Sequence, residues 1–363
     1  MSDDPRPARR AAVLAELHRR RMDCLVVTRA SSVRYLTGYV GSNGIAVIGS
    51  EGSALLTDFR YRTSAAQQID EGVQLVMRQQ DLIGGVPEVA AGLAGGGKVG
   101  LEAEHISLQA GERLRGMLTR HGPELTSGIV EDVRVVKDEG EVELIRRSAA
   151  ITDAALADVV AAGLVGRTER QVAWDLQAAL NAHGAEGPSF DIIVAAGPNS
   201  AKPHAVPGDA VIPADTMLTI DMGGIFSGYC SDMTRTFWLG TPDPQLVEAY
   251  AVCERAQLAS LAAVRPGALC ADVDAVARDI IDQAGFGPNF GHGLGHGVGL
   301  DIHEAPRLGR EAPGELRPGM IVTVEPGIYL EDVGGMRIED LVVVTEDGCE
   351  ILSAYPKDPR AAG

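Results

Sequence analysis

A stretch in the second half of the chain repeats itself. Residues 166–184, GRTERQVAWDLQAALNAHG, match residues 267–285, GALCADVDAVARDIIDQAG, in length, and both open and close on Gly. The apolar positions Val172, Leu176 and Leu180 fall opposite Val273, Ala277 and Ile281, a spacing that predicts one buried face on each of two helices. Thr168 with Gln171 predicts a capping box, and Gly184 and Gly285 predict helix stops. Each unit follows a further helical pattern, 143–162 and 246–264, and precedes a His-bearing loop and a β-hairpin. In the first half these are His204 and the strands around Asp221 and Asp232; in the second they are His296 and the strands around Glu325 and Glu339. A match that runs through helix, loop and hairpin predicts two similar halves facing each other across a shared cleft. Each half brings a two-carboxylate hairpin to that cleft.

At 363 residues the chain exceeds one ordinary core, so a second domain is expected beside the repeat. The first third supplies it, with strand patterns at 24–28, 45–48, 54–57, 73–76 and 99–102 and helical patterns at 8–20, 61–69 and 108–121. The VRVV run then gives way to KDEGEVE, which places the boundary at 135–137. The expected class is α/β (α+β), with one domain over 1–135 and another over 136–363.

A hydrophobic fraction of 45% and a charged fraction of 23% exclude disordered and fibrous classes. The net charge of -18 argues against nucleic-acid binding, which draws on clustered Lys and Arg. Arg9, Arg10 and Arg19 to Arg21 are read as a solvated helix face rather than an anionic-lipid or RNA patch. MSDDPRPARR lacks a signal-peptide pattern, and no apolar run is long enough for a membrane span. Cys24, Cys230, Cys253, Cys270 and Cys349 are scattered without CxxC spacing, as in a reducing compartment. A cytoplasmic enzyme is expected.

The chemistry lies in TIDMGG, CSDMTRT, LGHGVG, TVEPG and MRIED. Taken singly, each carboxylate fits ordinary turn chemistry. Together, Asp221, Asp232, His296, Glu325 and Glu339 are the ligand set of two adjacent divalent metals, because carboxylates so close repel unless cations neutralise them. The Gly residues at 293, 295, 297 and 299 are expected to let the backbone bend around His296. The oxygen-rich donor set favours Mn²⁺, with Co²⁺ or Zn²⁺ as alternatives. Such ions make water nucleophilic at neutral pH and polarise a scissile carbonyl. His204, His292 and His303 stand on Gly/Pro-rich loops as substrate handlers, and Arg337 could hold a ligand carboxylate or a substrate group.

At these residues the chain resembles the pita-bread metallopeptidases of family M24, within them the aminopeptidase P and prolidase group. IVAAGPNSAKPHA, GHGLGHGVGLDIHEAPRL, VTVEPGIYL and GGMRIEDLVVVTEDG carry the likeness in the second domain; VRYLTGYVGSNG and LLTDFRY are similar to the creatinase-type domain that precedes it. The resemblance implies that Asp221 chelates one metal, that His296 and Glu325 serve the other, and that Asp232 and Glu339 bridge them. It further implies that Glu325 shuttles a proton, that His204 and His303 contact the substrate carbonyl and transition state, and that His292 and Arg337 line the pocket. Creatinase and the metal-free binding relatives lack some of the five ligands. All five are present here, which favours an enzyme over a silent binding module. The expected reaction is release of the first residue from peptides with proline second, as in aminopeptidase P, with Xaa-Pro dipeptidase as the alternative. A homodimer, with a neighbouring N-terminal domain rimming the cleft, is implied as well.

Overall fold

The computed structural model describes residues 4–360, and contact density divides the chain into two compact units, Met1–Arg134 and Val135–Gly363. Residues 1–3 and 361–363, expected as the outer ends of the two domains, lie outside the described residues.

The first unit is a six-stranded mixed sheet of β1 (Cys24–Val27), β2 (Gly44–Gly49), β3 (Gly52–Asp58), β4 (Val73–Arg78), β5 (Val99–Glu102) and β6 (Glu124–Thr126), in the order β4-β3-β2-β1-β5-β6. Its helices are α1 (Arg6–Arg19), α2 (Ala30–Thr37), α3 (Arg62–Gln68), α4 (Leu82–Leu93), α5 (Leu108–Met117) and α6 (Ile129–Arg134). Helices α2, α4 and α6 and strand β6 are additional to the sequence expectation. In α4, Gly84, Gly85 and Pro87 lower intrinsic helix propensity, yet Leu82, Val86 and Ala90 are buried and Asp81 caps the Gly84 amide. Tertiary packing outweighs propensity there.

The basic run of α1 is not a uniform solvated face. Arg10 is buried, donating to both Asp70 carboxylate oxygens at 2.7 Å and to the Leu36 carbonyl at 2.8 Å. Its position on the stripe shared with buried Val13 and Leu17 explains this, since residues three and seven apart lie on one helix face. Arg19 remains exposed, paired with Glu16.

The second unit opens with α7 (Glu139–Ala161) and α8 (Glu169–Ala182); its later helices are α9 (Pro244–Ala263) and α10 (Cys270–Gln283). The Thr168–Gln171 capping box forms at the start of α8, and Gly184 and Gly285 end the repeated helices at positive φ. After α8 come β7 (Gly187–Pro188), β8 (Ile193–Ala196), β9 (Thr216–Met222), β10 (Gly224–Phe226), β11 (Tyr229–Cys230) and β12 (Met233–Leu239). After α10 come β13 (Gly295–Gly297), β14 (Glu304–Leu308), β15 (Ile321–Val324), β16 (Gly327–Leu330), β17 (Gly334–Arg337), β18 (Asp340–Val344) and β19 (Cys349–Ile351).

The halves share a hairpin plan. Long antiparallel β9 and β12 flank the short pair β10 and β11, as β15 and β18 flank β16 and β17. Val172, Leu176 and Leu180 pack with Leu218, Ile220 and Phe237, while Val273, Ala277 and Ile281 pack with Val322 and Val342. Each helix pair thus covers its own hairpin and leaves the opposite face of the strands for polar side chains.

Candidate metal centre

Four strand ends bring the carboxylates together. Asp221 lies on β9 opposite Thr234 of β12, and Asp232 is the residue before β12 begins. Glu325 directly follows β15, and Glu339 directly precedes β18. Asp221, Asp232 and Glu339 are buried, with one ligand atom of each within 4.8 Å of the others. His296 Nε2 lies 3.5 Å from Asp232 Oδ2 and 3.4 Å from Glu325 Oε1, so all five residues expected as ligands share one site.

His296 stands on the short strand β13, not in a loop. The flanking glycines serve close approach: a Cβ on Gly295 would lie 2.0 Å from the Thr323 carbonyl oxygen, and one on Gly297 would lie 2.2 Å from that of Ala305. Gly299 is crowded by the Glu304 carboxylate in the same way. His296 Nδ1 is 3.0 Å from the Gly297 carbonyl. That bond requires the proton on Nδ1 and turns the Nε2 lone pair toward the carboxylates.

Arg337 is the only cation in hydrogen-bond contact with the carboxylates among the described residues. It donates from Nη2 to Asp221 Oδ2 at 2.6 Å, from Nε to Thr234 Oγ1 at 3.0 Å, and from Nη1 to the Tyr329 hydroxyl at 2.7 Å. Thr234 Oγ1 donates in turn to Glu339 Oε2 at 2.7 Å. Thr323 Oγ1 accepts from the His296 amide and donates to Glu325 Oε1 at 3.1 Å. Neither Thr, nor Tyr329, was picked from the sequence. Both Thr were legible, since Thr234 alternates with Asp232 and Thr323 with Glu325 on one face of a strand.

One guanidinium does not neutralise four carboxylates. Burial, then repulsion from Glu339, Asp221 and Glu325, holds the Asp232 carboxyl well above its usual range. Burial followed by Glu325 and Asp221 does the same to Glu339, and burial pushes Glu325 up to about 7. Asp221 Oδ1 is buried without a hydrogen-bond partner. An orphaned carboxylate oxygen, crowded acids and an imidazole lone pair aimed at them suit divalent cations.

The remaining expected residues stand around this centre. His292 Nε2 is 3.0 Å from the Tyr329 hydroxyl, and burial pushes its imidazole down to about 4. The His303 ring meets that of His296 edge-on at 4.4 Å between centroids. Both His303 and His204 are exposed. Partial desolvation by the neighbouring protein, with the positive charges of Arg307 and His204, lowers the His303 pKa despite its exposed edge. Arg307, also missed from the sequence, is exposed and sits opposite His296 in the β13–β14 register.

Residues 143–346 match Metallopeptidase family M24, and residues 9–136 match Creatinase/Prolidase N-terminal domain. The chain is 35% identical to a solved Xaa-Pro dipeptidase from Bacillus anthracis, covering 98% of this chain and 99% of that one with a TM-score of 0.94. It is 34% identical to an X-Pro aminopeptidase from Thermotoga maritima MSB8, covering 93% and 97% with a TM-score of 0.85. An Xaa-Pro dipeptidase of Pyrococcus furiosus is 40% identical over 63% of this chain and 66% of its own. Dipeptidases among these relatives give the alternative expectation more support than the aminopeptidase one. Paired two-carboxylate hairpins, an inward imidazole and these matches make the chain a metallopeptidase: it belongs to family M24, in the pita-bread Xaa-Pro aminopeptidase and prolidase group, with a creatinase-type N-terminal domain.

Proposed function

We propose that the protein is an exopeptidase that hydrolyses Xaa-Pro bonds with two divalent metals, and that Xaa-Pro dipeptides are its preferred substrates. The observation that carries the reading is the buried cluster of Asp221, Asp232 and Glu339 with His296 Nε2 turned toward it. In this reading Asp221 would hold one ion, His296 and Glu325 would hold the other, and Asp232 and Glu339 would serve both. The ions, Mn²⁺ foremost, supply Lewis acidity for the scissile carbonyl and make water nucleophilic at neutral pH.

The protein's own groups do the rest. Glu325, held by Thr323, takes the proton from the attacking water and passes it to the proline nitrogen. A tertiary amide offers no N–H for recognition, so binding rests on its carbonyl and its ends. His204 and His303 donate to the carbonyl as it becomes an oxyanion, while His292 and Arg337 shape the pocket wall. A dipeptide also ends in a free carboxylate directly after proline. The exposed guanidinium of Arg307, beside His303, is suited to pair with it.

The proposed domains are a creatinase-like 1–135 and a catalytic 136–363, in a cytoplasmic homodimer. Free thiols at all five cysteines and the absence, among the described residues, of a helix long and apolar enough to cross a membrane accord with the cytoplasmic part. Apo-protein reloaded with Mn²⁺ should cleave an Xaa-Pro dipeptide with a higher kcat/KM than the matching Xaa-Pro tripeptide. The reverse order would favour the aminopeptidase reading, which the Thermotoga maritima likeness supports. Turnover of neither would leave a silent binding module.

A further inference from the structure

We infer that the C-terminal segment 352–360 is a positioning strap for Glu339, acting through a buried ion pair behind the metal centre. The inference rests on the proposed role of Glu339 as a metal ligand. Glu339 and Asp340 are consecutive, and successive residues of an extended chain point to opposite sides. Glu339 therefore enters the site while Asp340 enters the protein behind it, where it is fully buried.

Asp340 is held from both oxygens. Arg235 Nη2 donates to Oδ1 at 2.9 Å, Gln257 Nε2 donates to Oδ2 at 2.8 Å, and the Lys357 ammonium of the C-terminal segment pairs with Oδ2. Arg235, itself buried, donates from Nη1 to the Glu339 carbonyl and from Nε and Nη2 to the Tyr355 carbonyl at 3.0 and 2.7 Å. The backbone of Glu339 is thereby gripped by a guanidinium that also donates from Nη1 to the Thr234 carbonyl at 3.0 Å and is held from its Nε and Nη2 side by the segment.

The segment is anchored independently. The Ala354 and Tyr355 amides both donate to the Asp153 carboxylate at 2.8 Å, and the Trp238 amide donates to the Pro359 carbonyl at 2.7 Å. Removing one cation from a buried carboxylate leaves part of its charge uncompensated and strains the contacts that remain, here Arg235 and Gln257. Loss of Lys357 thus shifts Asp340, and with it the carboxylate of residue 339, by enough to spoil a shared ligand position.

Full-length wild type, Lys357→Met, Lys357→Arg and Asp153→Asn, stripped of metal, would be titrated with Mn²⁺ by equilibrium dialysis. Lys357→Met should bind at least one Mn²⁺ about tenfold more weakly or worse, while Lys357→Arg, which keeps the charge, stays within about threefold of wild type. At saturating Mn²⁺ the KM for an Xaa-Pro dipeptide should be unchanged in both. Wild-type Mn²⁺ affinity in Lys357→Met, with only the apo melting temperature lowered, would overturn the inference, as would a Lys357→Arg variant as weak as Lys357→Met. Should Lys357→Met fail to fold, Asp153→Asn, which loosens the anchor at the Ala354 and Tyr355 amides while keeping Lys357, decides on the same affinity criterion. A wild-type protein that bound no Mn²⁺ would instead refute the metal-centre reading itself.

Discussion

Arg337 shows how much one side chain can decide. It bonds Asp221, Thr234 and Tyr329 at once and also reaches the Pro203 carbonyl, a fork that Lys cannot reproduce. Arg337→Lys should lower kcat/KM on the order of 10–100-fold, through weaker metal binding measurable by dialysis. His204 is exposed and off the carboxylate cluster, so His204→Ala should lower kcat by about 10²-fold while metal content stays at the wild-type level by elemental analysis. Equal loss of metal would contradict its assignment to the substrate. In the first unit, Glu102 is buried with Oε1 unpartnered, although Oε2 accepts from the Thr28 and Arg29 amides at 2.6 and 3.1 Å. Burial pushes its carboxyl up to about 7 from an ordinary 4.5. The folded state then holds the proton more tightly than the unfolded one. The stability this confers is full below pH 4.5 and is lost as pH rises through 7, by on the order of 3 kcal/mol at most. Urea denaturation of Glu102→Gln should show a flatter stability profile between pH 5 and 8 than wild type.

Secondary-structure elements hold the loops that carry the histidines, and the two repeats do this differently. At the start of α8, the buried Glu169 accepts from the Ala196 and Gly208 amides at 2.8 and 2.9 Å and from the Asn199 side chain. It closes the loop that presents His204. In α10 the equivalent work falls to Asp274 and Arg278, which pair at 2.7 Å. Asp274 accepts from the Leu294 amide at 2.9 Å and Arg278 donates to the His292 carbonyl at 2.8 Å, so the helix fixes the approach to His296. Glu169→Ala would strand buried amide donors and should destabilise the protein by about 2–4 kcal/mol. It should also lower kcat with metal binding retained. Thermal melting and dialysis on the same variant separate the two effects.

At the scale of the whole molecule, the crowded buried carboxylates oppose folding of the second unit, a cost that the proposed cations would relieve. Chelation should lower the melting temperature of that unit while leaving the first unit unchanged, and Mn²⁺ should restore it. Calorimetry with and without a chelator checks this; an unchanged thermogram would contradict it. Much of this arrangement was legible in the chain. The helix repeat could be read because apolar spacing and caps are local: Val172, Leu176 and Leu180 share a face whatever surrounds them. The clustering of the five candidate ligands could be read because each sits at or beside a short strand end in the sequence. Tertiary structure alone decided the pairing of Arg337 with Asp221, Glu339 with Thr234 and Lys357 with Asp340, partners brought together by the packing of separate sheets and of the C-terminal segment. It likewise decided that Arg10 is buried, that α4 is helical despite its glycines, and that Gly295 and Gly297 serve close packing beside His296. Periodicity and capping are properties of a few neighbouring residues, whereas the partner of a polar group depends on which strands lie side by side and on the water that their packing removes.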